Sequence, residues 1–151
     1  MSAAVESRLR RFLLLLSAFV CFGTIVELLL VGHTESRMQI VPIIAAAVGG
    51  LSSGLAVRRE LLQYGGRLLN AHRGSMSGLI AISALGVYQH LRANYLFERE
   101  IKPASSITDA FVEALVGASP LIASGVLALA GLCGLMATVG YPSDRSEEPA
   151  P

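Results

Sequence analysis

Glu27 and His90 are the two ionisable side chains in this chain whose settings could do chemistry. The first lies in TIVELLL and the second in GVYQHL, both otherwise apolar. Each is followed by further polar groups at short spacing: His33, Glu35 and Gln39 in GHTESRMQ, and Asn94 and Glu98 in YQHLRANYLFERE. Carboxylate and imidazole together can ligate a divalent metal, and if a metal is held, Glu27 and His90 are its first ligands. They can relay protons, because small environmental shifts set the charge of a His beside a partly buried Glu. They can grip a polar head group, or simply fasten two helices by a hydrogen bond. No HxxxH or ExxH spacing is present, so nothing in the sequence requires a metal or other cofactor.

These residues sit in a chain of 151 residues that is 53% apolar and only 15% charged. An average soluble domain is roughly 25% charged. The missing charge is organised in runs, since residues 12–26, 40–57, 74–89 and 114–141 carry none. Runs of that length read as membrane spans, here 12–31, 39–57, 75–96 and 121–140, within a transmembrane domain of residues 12–140. The expected fold is all-α: a polytopic membrane protein with an antiparallel four-helix transmembrane bundle and an outer amphipathic helix. Residues 1–11 form a cytoplasmic segment, and the polar tail 141–151 reads as disordered. Arg8, Arg10 and Arg11 before an apolar core imitate a secretory signal, but the core continues past Glu27 without a clean cleavage site. It reads as an uncleaved first span.

Orientation follows from the bases. Arg8, Arg10, Arg11, Arg58, Arg59, Arg67 and Arg73 outnumber Arg37, Arg92, Arg99 and Lys102 on the other side. The excess places both termini in the cytoplasm. Depth then brings the polar residues together. At 1.5 Å per residue, Glu27 lies about 24 Å above Arg11 and His90 about 25 Å above Arg73. Both levels fall near the outer boundary, and Gln39 opens the second span close by. On the third span His90, Asn94 and Glu98 form one stripe, with Arg92 and Arg99 opposite beside Tyr88 and Tyr95. The expectation is that this stripe faces inward, that Glu27 pairs with His90, and that His33, Glu35, Gln39, Asn94 and Glu98 line a funnel above them.

The connections carry less. In ELLQYGGRLLNAHRG, Leu61, Leu62, Leu68 and Leu69 suggest two short turns on the inner surface, broken at Gly65 and Gly66, with His72 solvated. Ser106 and Asp109 have capping-box spacing, and Ile107, Phe111 and Leu115 repeat every fourth residue in an outer amphipathic helix. Small-residue stripes, Ala46-Gly50-Gly54, Gly74-Gly78-Gly86 and Ala130-Gly134-Thr138, predict close packing of spans. Cys21 and Cys133 fall in apolar runs and read as small buried hydrophobes. The net charge of +1, with no basic stripe, excludes a nucleic-acid footprint. Ser75, Ser77 and Ser83 lack a nucleophile elbow, and the Gly-rich pieces lack a phosphate-loop Lys.

ELLLVGHTES with Gln39 and Pro42, GVYQHLRANYLFEREIKP and ALVGASPLIASG resemble a group of small, uncharacterised four-span bacterial membrane proteins. The chain departs from that pattern at Ala93 and Tyr95, where Gly and Glu would be expected. The resemblance implies a four-helix inner-membrane protein and transfers no functional residue. The function expected is a non-enzymatic accessory or scaffold component, in contact with lipid and with other membrane proteins or its own copies. The alternative is an ion-binding or proton-coupled protein using the His/Glu site near the outer leaflet.

Overall fold

The computed structural model describes residues 3–58, 66–117 and 121–141. Among them all regular structure is helical: α1 (Ala3–Leu30), α2 (Arg37–Ala56), α3 (Gly66–Ile101), α4 (Ile107–Leu115) and α5 (Leu121–Met136). Two of these, α1 and α2, are long and apolar enough to cross a membrane. The apolar α5 is shorter, at 16 residues. The 36-residue α3 carries charge at both ends.

Local sequence explains where the helices begin and stop. Ser36 and Gln39 form a reciprocal capping box: Ser36 N–H donates to Gln39 Oε1 at 2.9 Å, and Gln39 N–H donates to Ser36 Oγ at 3.4 Å. Ser106 likewise caps α4 by accepting from Asp109 N–H at 3.1 Å. The end of α1 is a Schellman motif, in which His33 N–H donates to Leu28 O and Gly32 N–H to Leu29 O. Gly32 adopts φ 68°, which a side chain would resist. Pro103 follows α3 by two residues and prevents its continuation.

α1 packs against α2 and α5, and α3 packs against the same two helices, so α1 and α3 lie across a diagonal. α1 and α2, α2 and α3, and α3 and α5 pack antiparallel. Ser17 meets Ser53 and Cys21 meets Gly50 between α1 and α2, while Met76 meets Gly131 and Ser83 meets Ser124 between α3 and α5. The buried positions are mostly small, including Ala46, Ala56, Ala130, Ala137, Gly49, Gly50, Gly131 and Gly134. Large apolar side chains point outward instead: Phe19 is 75% exposed, Leu30 82% and Ile122 91%. Close backbone approach through small residues is how helices associate where the surroundings are as apolar as Leu.

Three sequence expectations change here. The helices extend beyond the apolar runs, with α1 starting at Ala3 and α3 at Gly66, while α5 stops at Met136 and residues 137–140 form a turn. The short turns expected across residues 66–74 are the continuous start of α3, because Leu69 is buried in a cluster with Leu14, Ala56 and Ala137. Leu61, Leu62 and Gly65, and the tail beyond residue 141, lie outside the described residues. Of the glycines in the expected stripes, Gly54, Gly74 and Gly78 face open space, whereas Gly50 and Gly134 make close contacts, as do Gly49 and Gly131 outside those stripes.

His72 is also not solvated. It is 3% exposed, and its Nε2–H donates to Gly134 O at 3.3 Å. Because a carbonyl only accepts, Nδ1 of the neutral ring accepts from Ser52 Oγ at 2.8 Å. Neighbouring Arg73 donates to Thr138 Oγ1 at 3.1 Å, Thr138 O at 2.9 Å and Tyr141 O at 2.8 Å. Arg10 from α1 donates to Ala137 O at 2.8 Å and lies over the Tyr141 ring. Arg10 and Arg73 thus satisfy carbonyls of the turn that follows α5, at Ala137, Thr138 and Tyr141, while His72 donates to Gly134 O in the last turn of the helix.

Candidate functional site

At the opposite end, α1, α2, α3 and α5 line a half-open cavity of about 810 Å³. Thr24 and Glu27 reach it from α1, Gln39 and Pro42 from α2, Gln89 and His90 from α3, and Ala123 and Ser124 from α5. Its walls are small or aliphatic at Gly86, Ala93, Leu28, Ile82 and Leu127, and these side chains leave the space between the helices unfilled.

His33 reaches the cavity from the turn between α1 and α2. The Schellman motif fixes that turn, and the His33 ring stacks on His90 with centroids 6.4 Å apart and an interplanar angle of 28°. Pro42 has no N–H to donate, so Met38 O lacks its intrahelical partner, and both residues line the cavity. Gln39 lines it too, but its Oε1 is engaged by the capping box.

The expected cluster therefore divides. Glu27, His33, Gln39 and His90 share the cavity, whereas Glu35 is exposed on the turn and does not line it. His90 meets His33 rather than Glu27; among the described residues no hydrogen bond or ion pair joins Glu27 to His90. Asn94 and Glu98 turn toward α4. Asn94 is 4% exposed, donates through Nδ2 to Ala114 O at 3.0 Å and packs on Gly117. Glu98 lies 3.7 Å from Lys102, whose ammonium also contacts Glu113 at 2.6 Å. Arg99 does not simply point outward: it donates to Ser105 O at 2.7 Å and ties down the turn before α4.

The reason for the division is rotation along the helix. Residues four apart drift by about 40° around the axis. That drift carries the stripe from the cavity at His90 to α4 at Asn94. Sequence reasoning also missed Gln89 and Ser124, whose uncharged polar groups give no signal until the walls are assembled.

Chemically, Glu27 is the one formally charged side chain among the described residues lining the cavity; no Lys or Arg reaches it. Among the described residues no three His, Cys, Asp or Glu side chains converge to hold a metal ion. Two of the three serines of α3 donate to carbonyls: Ser75 Oγ to Ala71 O at 2.9 Å and Ser83 Oγ to Ser124 O at 2.7 Å. Comparison of the chain with protein-family models, with curated proteins and with solved structures gave no match.

Proposed function

We propose that this chain is a four-span membrane protein that binds a small molecule in the cavity between its helices, without catalysing a reaction. The observation that carries this reading is the cavity itself, whose volume of about 810 Å³ falls in the range of roughly 300–1,000 Å³ typical of ligand sites. Its polar groups gather toward the end bearing Glu27, His33 and His90, while its walls are apolar. An amphiphilic molecule with an apolar body and one polar end suits that lining.

Membrane insertion is supported by the outward-facing Phe19, Leu30 and Ile122 around a core of small residues. In this reading α3 and α5 also cross, both termini are cytoplasmic in a bacterial inner membrane, and the cavity opens toward the outer leaflet. Single cysteines introduced at Arg37 and Arg8, in a Cys21→Ser, Cys133→Ser background, test the orientation. A membrane-impermeant maleimide should label position 37 from outside intact cells and leave position 8 unlabelled. The reverse pattern would overturn the orientation. The binding reading is tested by calorimetric titration of the protein in lipid nanodiscs with apolar amines, alcohols and acids. Saturable heat above empty nanodiscs is expected for at least one class and should disappear in Ala123→Phe, whose ring projects into the cavity and obstructs it.

A second reading, an accessory or scaffold subunit, is favoured by α4. This helix docks through Ala110 and Ala114, leaving Ile107, Val112 and Val116 exposed on an apolar surface. If that surface holds a partner rather than lipid, Ile107→Lys with Val116→Lys should abolish assembly while leaving cavity binding intact, as read by sedimentation in detergent.

A further inference from the structure

We propose that the cavity selects a protonated amine carried on an apolar body, and rejects anions of the same shape. This deepens the binding reading above and rests on it. Three features of the cavity lead to this choice.

The first is charge. Glu27 is an unmatched carboxylate in the lining, since no Lys or Arg among the described residues reaches the cavity. Glu27 is solvent-exposed where it lines the cavity, so it attracts a cation as a partly hydrated charge. A cation gains from Glu27, whereas an anion would be repelled with no base to offset it.

The second is hydrogen-bond polarity. Met38 O lost its intrahelical donor to Pro42, and Gln89 adds an amide carbonyl on the facing helix. An ammonium brings only donors, which such acceptors match. Neutral imidazole at His33 or His90 can accept through one ring nitrogen, so it does not oppose the cation.

The third is shape. The remaining walls are largely aliphatic, at Leu28, Met38, Ile82, Leu85 and Leu127, and leave a volume of about 810 Å³ between them. An apolar body is therefore accommodated below the charged end, and its burial supplies affinity that a hydrated metal ion could not obtain. The absence of a three-ligand His/Cys/Asp/Glu group among the described residues points the same way.

The test uses three probes of one shape: 1-adamantylamine, 1-adamantanol and 1-adamantanecarboxylate. Each is titrated by calorimetry into the full chain in phosphatidylcholine nanodiscs at about pH 8, where imidazole is neutral and a simple amine is protonated. The amine should bind saturably, the alcohol at least about tenfold more weakly, and the carboxylate not measurably. Glu27→Gln, nearly isosteric, should weaken the amine by roughly ten- to a hundredfold and leave the alcohol unchanged. Unchanged alcohol binding shows that the variant retains its cavity. Should the variant not fold, the order of the three probes on the native chain still decides the matter.

Equal or tighter binding of the alcohol or the carboxylate would overturn amine selection. If those probes bind and Ala123→Phe removes them, the cavity reading survives without its selectivity. If none of the three binds above empty nanodiscs, both the selectivity and the binding reading fall.

Discussion

The imidazoles of His33 and His90 are stacked, with ring centroids 6.4 Å apart, and so join the turn after α1 to the body of α3. These two helices lie across a diagonal, so this contact bridges the mouth of the cavity rather than a helix seam.

Removing that bridge should loosen the mouth. In His33→Ala, backbone amides of residues 31–36 should exchange faster with solvent, while α1 and α3 keep their protection. Gly32→Ala should do the same through the backbone, since its φ of 68° costs a residue with a Cβ about 1 kcal/mol or more. Hydrogen exchange with mass spectrometry in nanodiscs reads both. Unchanged exchange at residues 31–36 in both variants would show that the turn is held by something else.

Asn94 should govern the docking of α4. Its buried amide donates to Ala114 O, so Asn94→Leu removes a donor from a helix-end carbonyl at a cost of about 1–3 kcal/mol. Protection of the α4 amides should fall accordingly. Gly117→Ala should act on the same contact, because a Cβ there meets Asn94 Cγ at 2.7 Å.

Two glycines should respond oppositely to alanine. At Gly131 a Cβ would meet the Met76 backbone oxygen at 2.7 Å, and backbone cannot swing aside as a flexible side chain can. Gly131→Ala should cost about 1–3 kcal/mol as an overpacked contact. Gly78 has nothing within 4 Å of its virtual Cβ. Gly78→Ala should therefore be neutral or gain up to about 1 kcal/mol from the stiffer helix. Thermal unfolding in detergent distinguishes the two.

The Lys102–Glu113 pair sets a pH window for α4. The hydrogen bond from Lys102, then that with Glu98, holds the Glu113 carboxyl below its ordinary 4.5. The hydrogen bond to Glu113 first, with the nearby Glu113 and Glu98 charges, raises the Lys102 ammonium above its ordinary 10.5. A depressed acid contributes stability that is present above its unfolded value and lost as pH falls through the folded one. A raised base contributes stability that is present below its unfolded value and lost as pH rises through the folded one. The tether should be fully engaged between these limits and weaken below about pH 4, the unfolded carboxylate range. Rate-corrected exchange of the α4 amides should show the acid limb, and Lys102→Met should remove it. Both groups are solvent-exposed, so the effect should shrink in high salt.

Much of the scaffold was legible in the chain. Charge-free runs located the apolar segments, and Ser106 with Asp109 marked the start of α4, because capping geometry acts within a few residues. The level shared by Glu27, Gln39 and His90 was also legible, since helix rise is fixed by the backbone. What failed depends on neighbours. Gly78 and Gly131 look alike in sequence, yet one faces open space and the other a carbonyl. His72 and Arg73 followed a polar-looking linker, and nothing local announced that the end of α5 would need their donors.

The sequence by itself determined an all-helical chain with apolar segments, an amphipathic helix after Pro103, and the depth at which acid and imidazole lie. Tertiary structure alone decided which of those groups meet. It placed α1 and α3 on a diagonal, gave His90 to His33 and Asn94 to Ala114, and left Glu27 facing a cavity. The physical reason is that rise along a helix is set locally, whereas its rotation and partners are set by how small residues on several helices pack at once.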